Sequence, residues 1–145
     1  NVGDLYARLM ERGSKLVLKT VQAIQEGDYP QDPQDESGEI KHAPKIFKET
    51  CEIDWSKSSE EVYNFIRGLS PYPAAWTMIN GTQFKIYKAE KLELTSAGDK
   101  PGDYSTDNKT FLHIHTGGSA LSIKELQMQG KKRMNIEDFL RGNSL

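Results

Sequence analysis

The chain has 145 residues, 36% of them hydrophobic and 28% charged, which suits one domain of ordinary size or a small domain with an extra segment attached. No apolar run approaches a membrane span, no signal peptide opens the chain, and the single cysteine, Cys51, excludes an internal disulfide and makes an intracellular home the expectation. The formal charge of -2 is unevenly spread: residues 1–40 hold four Lys/Arg against eight Asp/Glu, and residues 41–145 hold fifteen against thirteen, a balance compatible with nucleic-acid binding without demanding it.

Asp4 to Glu26 reads as a long helix, with Leu5, Leu9, Leu16, Val17, Val21 and Ile24 at near-helical spacing, an acid at its start and Gly27 as its C′ residue. Gly13 weakens its middle by on the order of 1 kcal/mol relative to Ala and allows a bend there. A lone helix with an apolar stripe needs a partner surface, and a start at Asn1 without methionine suggests a piece of a longer chain. From Asp28 to Thr50 the periodicity dissolves into a polar, proline-interrupted linker. Its charge changes sign, from Asp32, Asp35, Glu36 and Glu39 to Lys41, Lys45 and Lys48.

Cys51 to Trp76 is the most structured stretch. Ser58 is placed as an N-cap, with Glu61 three residues on in capping-box position, and Val62, Ile66 and Leu69 share one helical face. Gly68 and Ser70 loosen the end of this helix, and Pro71 and Pro73 forbid its continuation. Trp55, Tyr72 and Trp76 are large enough to anchor the flanks in a core. Cys51 itself reads as an inert core thiol.

Strands follow. Ala75–Ile79 and Gln83–Tyr87 flank Asn80-Gly81, a type I′ hairpin signal, with Phe84 and Ile86 on one face and Lys85 and Tyr87 on the other. Lys91–Thr95 alternates again with Leu92 and Leu94 inward, and Ser96–Lys109 reads as an exposed loop. Phe111–His115 and Ala120–Met128 form a second hairpin around Gly117-Gly118, with Leu112 and Ile114 alternating against Phe111, His113 and His115. Gly130 introduces the basic run Lys131, Lys132 and Arg133, and Asn135 caps a closing helix through Arg141 whose apolar side is Ile136, Phe139 and Leu140. Short strands with interposed helices leave sandwich and barrel equally open.

Catalytic chemistry is not evident in these residues. His42, His113 and His115, with Cys51 distant from all three, fit no zinc spacing, and no phosphate loop or nucleophile elbow appears. Glu60-Glu61 and Glu137-Asp138 lie in helix first turns, where they complement the dipole.

The run IDWSKSSEEVYNFIRGLSPYPAAW is more specific. Its Ile53-Asp54-Trp55-Ser56 opening, Ile66-Arg67-Gly68 helix end and Pro71-Tyr72-Pro73 corner resemble the start of the C-terminal domain of the methionyl-tRNA formyltransferase family. QDES followed by APKIFKE resembles that family's interdomain linker, and ELQMQ followed by GKKRMNIEDFLRG its terminal signature. The likeness covers nearly the whole chain and is weakest at Ala97–Lys109 and in the His113/His115 strand.

The resemblance implies a mainly β, α+β fold: a small OB-fold-like barrel over residues 51–145, preceded by the terminal helix of a truncated N-terminal catalytic domain (1–27) and a linker (28–50). It also implies a cytoplasmic, bacterial-type enzyme of translation initiation that moves a formyl group from 10-formyltetrahydrofolate to the amine of initiator methionyl-tRNA. Catalysis and the folate site belong to the N-terminal domain in that family. This chain is therefore expected to hold no catalytic residue, cofactor or metal, and to be inactive alone. Its implied partners are initiator tRNA and its own catalytic domain, with neither membrane nor DNA.

The implied role here is an electrostatic grip on tRNA. Candidate contacts are Lys41, Lys45 and Lys48 of the linker, then Arg67, Lys85 and Lys88, with Lys131, Lys132 and Arg133 as the densest patch. Such phosphate contacts add salt-sensitive affinity without sequence information. A second reading keeps the fold and makes the domain a scaffold or interface in a related formyltransferase acting on a nucleotide sugar or folate. The balance of twelve Lys/Arg against twelve Asp/Glu over residues 51–145 favours the scaffold, whereas the linker and GKKRM favour the tRNA enzyme.

Overall fold

The structure, a computed structural model, describes residues 1–38, 40–92 and 100–145. It divides into two compact units, Gly3–Ile46 and Phe47–Leu145 with Asn1–Val2. Helix α1, Val2–Glu26, runs unbroken through Gly13 and buries none of its residues. It closes as the sequence indicates: Gly27 takes a φ of 75°, its N–H donates to the Ile24 carbonyl, and the Asp28 N–H reaches back to Ala23. The described residues from 28 to 46 form no regular element.

In the second unit a 3₁₀ turn at Glu49–Cys51 precedes α2, Ser59–Leu69. The strands are β1 Ala75–Ile79, β2 Thr82–Leu92, β3 Tyr104–Thr106, β4 Leu112–His115, β5 Ala120–Met128 and β6 Met134–Asn135. Helix α3, Ile136–Gly142, closes the chain. All the strand pairs are antiparallel, in the order β1-β2-β5-β4-β3 with β6 on β5, and the sheet curls into a half-barrel. Alternation puts Phe84, Ile86, Leu112 and Ile114 inside, and a shift in the β2–β5 ladder lets Ile123 and Leu126, three residues apart, join them. The buried faces of α2 (Val62, Ile66, Leu69) and α3 (Ile136, Phe139, Leu140) join them, with Phe139 packed edge-on to Phe84 at 5.7 Å. Each such side chain contributes about 1.5–3 kcal/mol on burial.

Several expectations change. β2 is one strand of eleven residues because Lys88–Leu92 continues the ladder along β5; Glu93–Thr95 lie outside the described residues. The expected loop contains β3, which Tyr104, Ser105 and Thr106 form by pairing with β4. Asn135 occupies the N-cap of α3 without a side-chain cap bond, its backbone being paired with Glu125. Tyr72 is 83% exposed rather than anchored. The Ala74 N–H bonds the Leu69 carbonyl at 2.9 Å, which folds the corner tightly, sends Ala74 and Ala75 into the core and leaves Tyr72 at the outer apex. Trp55 is buried as expected, its Nε1 donating to Thr77 Oγ1 at 2.9 Å. His115 is buried too, since its backbone pairs with Gly102 and Asp103 at the strand end, whereas His113 is half-buried beside Phe111.

Candidate nucleic-acid interface

The alternation that buries Phe84 and Ile86 turns Trp76, Lys85 and Tyr87 outward. Lys85 lies in register between Trp76 on β1 and Gln127 on β5, so the three share one row of the outer face. Trp76 is fixed by its Nε1, which donates to the Lys48 carbonyl at 2.8 Å, and the Lys48 ammonium lies 5.8 Å from the ring centroid.

A second set of contacts extends this row. The Tyr87 hydroxyl donates to Gln127 Oε1 at 2.7 Å, and Gln127 Nε2 donates to the Lys131 carbonyl at 2.8 Å, tying the 130–133 turn to the sheet. The Arg133 guanidinium stands 4.4 Å from the Tyr87 ring. Its Nε donates to Glu125 Oε2 at 2.7 Å, and its Nη2 donates to the same oxygen. Burial raises the Tyr87 phenol pKa, with the Arg133 charge opposing that shift.

Lys88 reaches this face by a different route. Strict alternation would point it inward with Phe84 and Ile86. The β2–β5 ladder instead shifts between Ile86 and Lys88 and again between Lys88 and Ala89, so Tyr87 and Lys88 both stay off the core while Ala89 is buried. Lys88 is left exposed opposite Glu125. Lys85, Lys88, Lys131 and Lys132 have no carboxylate partner among the described residues, whereas Lys124 pairs with Glu90 at 3.1 Å.

Lys48, Lys85, Lys88 and the Lys131–Arg133 turn are therefore gathered on one surface. Arg67 is elsewhere: on α2 it lies 5.2 Å from the Tyr63 ring and donates from Nη1 to Asn64 Oδ1 at 3.1 Å. Lys91 flanks the same ring and pairs with Glu60. Among the described residues no hydrogen bond, ion pair or ring contact joins this cluster to the Trp76–Arg133 row. Lys41 and Lys45 are exposed in the Gly3–Ile46 unit. Sequence reasoning missed Trp76 and Gln127 as members of the face, although strand parity could have found both. It also missed Glu125, whose pairing with Arg133 has no local signal.

The family described as "Formyl transferase, C-terminal domain" matches residues 45–144. The chain belongs to this family. A methionyl-tRNA formyltransferase of Phocaeicola vulgatus is 46% identical over 151 residues, covering 98% of this chain and 46% of that protein. The methionyl-tRNA formyltransferase of Bacteroides fragilis is 43% identical over 98% of this chain, and that of Bacillus licheniformis 40% identical over 100%, each again matched over 46% of its own length. The chain thus spans about half the length of the curated relatives it matches. Among solved structures, HypX from Aquifex aeolicus in complex with tetrahydrofolic acid matches with a TM-score of 0.64 at 21% identity, over 87% of this chain and 22% of that one, a likeness of fold alone.

Elsewhere this formyl transferase C-terminal domain carries a groove of about 570 Å³ between the 49–54 segment and α2. Glu49, Glu52, Asp54 and Glu61 line it with Lys57, so it opposes anions and suits neither a phosphate backbone nor the carboxylate tail of a folate. Ser56 and Ser58 hold the Asp54 and Glu61 carboxyls below their ordinary pKa values by hydrogen bonding, which keeps both groups charged. Burial, followed by the charges of Lys124 and His115, lowers the His113 pKa and favours the neutral ring. Among the described residues no group of three or more His, Cys, Asp or Glu could hold a metal ion, and no helix is long and apolar enough to cross a membrane.

Proposed function

We propose that this chain is the tRNA-gripping C-terminal part of a methionyl-tRNA formyltransferase. Residues 1–27 are the last helix of the catalytic domain, 28–50 the linker and 51–145 the docking domain. The whole enzyme acts in the cytoplasm at translation initiation, moving a formyl group from 10-formyltetrahydrofolate to the amine of initiator methionyl-tRNA. The reacting groups and the folate site lie in the catalytic domain, so the chain alone does not transfer formyl groups.

The observation that carries this reading is the outer row from Lys48 and Trp76 through Lys85 to Tyr87 and Arg133, in which cations alternate with aromatic rings. Cations on a rigid sheet bind backbone phosphates and set the register of the RNA, and aromatic faces accept unpaired bases. Holding the body of the tRNA lets its acceptor end occupy the catalytic domain at high effective concentration. Relatives 40–46% identical to this chain over nearly its whole length support the choice of substrate.

The competing reading, a scaffold domain that binds no RNA, is favoured by the neutral sum of charge over residues 51–145 and by the pairing of Arg133 and Lys124 with carboxylates. Filter binding of this chain to initiator tRNA separates the two. With about four phosphate contacts, affinity should fall roughly 10²-fold between 50 and 200 mM salt. Changing Lys131, Lys132 and Arg133 together to Ala should remove most of the binding. Absence of binding at 50 mM salt would leave the scaffold reading.

A further inference from the structure

Within the proposed RNA-docking face, Glu125 is out of place. It is a carboxylate on a surface meant for a polyanion, and its contact with Arg133 cancels the charge of one member of the basic triplet. By charge alone it opposes the ligand.

The geometry assigns it another part. Glu125 is firmly seated, with only 24% of its side chain accessible, and its Oε2 accepts both Nε and Nη2 of Arg133, occupying one edge of the guanidinium. The Tyr87 ring covers one face at 4.4 Å. Tyr87 is itself held by Gln127, and Gln127 by the Lys131 backbone. These supports fix the guanidinium plane, while Nη1 has no protein partner among the described residues. A guanidinium is a planar fork matched to phosphate oxygens, and a fork already held in place loses less freedom on binding than a side chain moving in solvent. Lys88, across the ladder from Glu125, and Lys131 and Lys132 in the adjoining turn keep the neighbourhood positive despite the carboxylate.

We infer that Tyr87, Glu125 and Arg133 form a pre-organised clasp for an RNA backbone phosphate, in which Glu125 positions Arg133 instead of opposing the ligand. The inference rests on the RNA-docking reading above and deepens it. Arg133 supplies the contact, Tyr87 and Glu125 are positioning residues, and the phosphate meets the open Nη1 side. All three lie on the outer face, away from the core.

The test is a double-mutant cycle read as affinity for initiator tRNA and as its salt slope. Glu125→Ala should weaken binding about 5-fold, the lower range of coupling between touching residues, although it removes a negative charge. Arg133→Ala should weaken binding and flatten the salt slope by about one unit. Glu125→Ala made on top of Arg133→Ala should tighten binding, because only repulsion is then left to remove. This change of sign is what a positioning role requires and a general loss of fold cannot produce. Arg133→Lys, which keeps the charge and loses the fork, should restore the slope without restoring the affinity. Tighter binding by Glu125→Ala in both backgrounds, or full affinity in Arg133→Lys, would overturn the clasp and leave the RNA reading standing. No binding by the unmodified chain would remove both.

Discussion

Gly117 is a position where one methyl group would have nowhere to go. A Cβ there would lie 2.1 Å from the Ser56 carbonyl oxygen and 3.1 Å from that of Lys57, and the Gly117 N–H donates to the Lys57 carbonyl at 2.8 Å. The β4–β5 turn therefore meets the segment ahead of α2 backbone to backbone, and neither side can yield by rotating a side chain. A Cβ at Gly118, the next residue, meets nothing within 4 Å. Gly117→Ala should destabilise the protein by about 1–3 kcal/mol, as overpacking does elsewhere. Gly118→Ala should stay within about 0.5 kcal/mol. Urea midpoints of the two variants check this, and equal midpoints would contradict the close approach. In the sequence the two glycines are indistinguishable turn residues. What separates them is a neighbour about sixty positions away; the buried state of His115 likewise depends on a partner segment, at Gly102 and Asp103.

At the scale of elements, what is encoded in adjacent residues was legible. Ser58 Oγ accepts from the Glu61 N–H at 3.3 Å and Glu61 Oε2 from the Ser58 N–H at 3.1 Å, the reciprocal box that the spacing implied. Asn80 and Gly81 take φ values of 48° and 76°, as a type I′ turn requires. The unbroken run of β2, the existence of β3 and the outward turn of Lys88 depend on partner strands and their register, so local pattern could not supply them. The box makes a prediction with a pH signature. Ser58→Ala should cost about 1 kcal/mol near neutral pH. The Ser58 hydroxyl first, then its backbone N–H, lowers the Glu61 pKa below its ordinary value. A lowered acid contributes stability that is fully present above the unfolded value of about 4.3 and is lost as pH falls through the folded one. The gap between Ser58→Ala and the unaltered chain should therefore narrow as pH drops below about 4. Denaturant midpoints at pH 7 and at a pH below the lowered value measure it, and an unchanged gap would mean that the carboxylate contributes nothing to the cap.

For the whole molecule, the fold class was legible through the family resemblance, because the strand pattern alone left sandwich and barrel open, and the candidate face was legible only in part. Lys85 follows from parity, whereas Lys88 depends on the shifted ladder, Arg67 stands apart, and the tie of Arg133 to Glu125 joins residues eight positions apart through the β5–β6 pairing. Burial fixes where stability resides. Among the described residues the buried cluster runs from Cys51 to Leu140 and takes nothing from the first 46 positions, where no residue is buried. Helix α1 has an apolar face that its own unit does not bury, so its hydrogen bonds stand almost alone against chain entropy. A chain limited to residues 47–145 should consequently unfold cooperatively, with a thermal midpoint within about 4–8 °C of the full chain, the shift expected for 1 kcal/mol in a domain of this size. Circular dichroism melts of the two lengths test this. The full chain should show the same main transition together with a broad, weakly cooperative loss of helix from α1. A much larger fall in the midpoint of the shorter chain would mean that the first 46 residues help hold the core. Their loss should touch RNA affinity more than stability: removing Lys41 and Lys45 would lower the salt slope by at most about two units if both contact phosphates. On the docking reading, the contribution of the sheet face would remain.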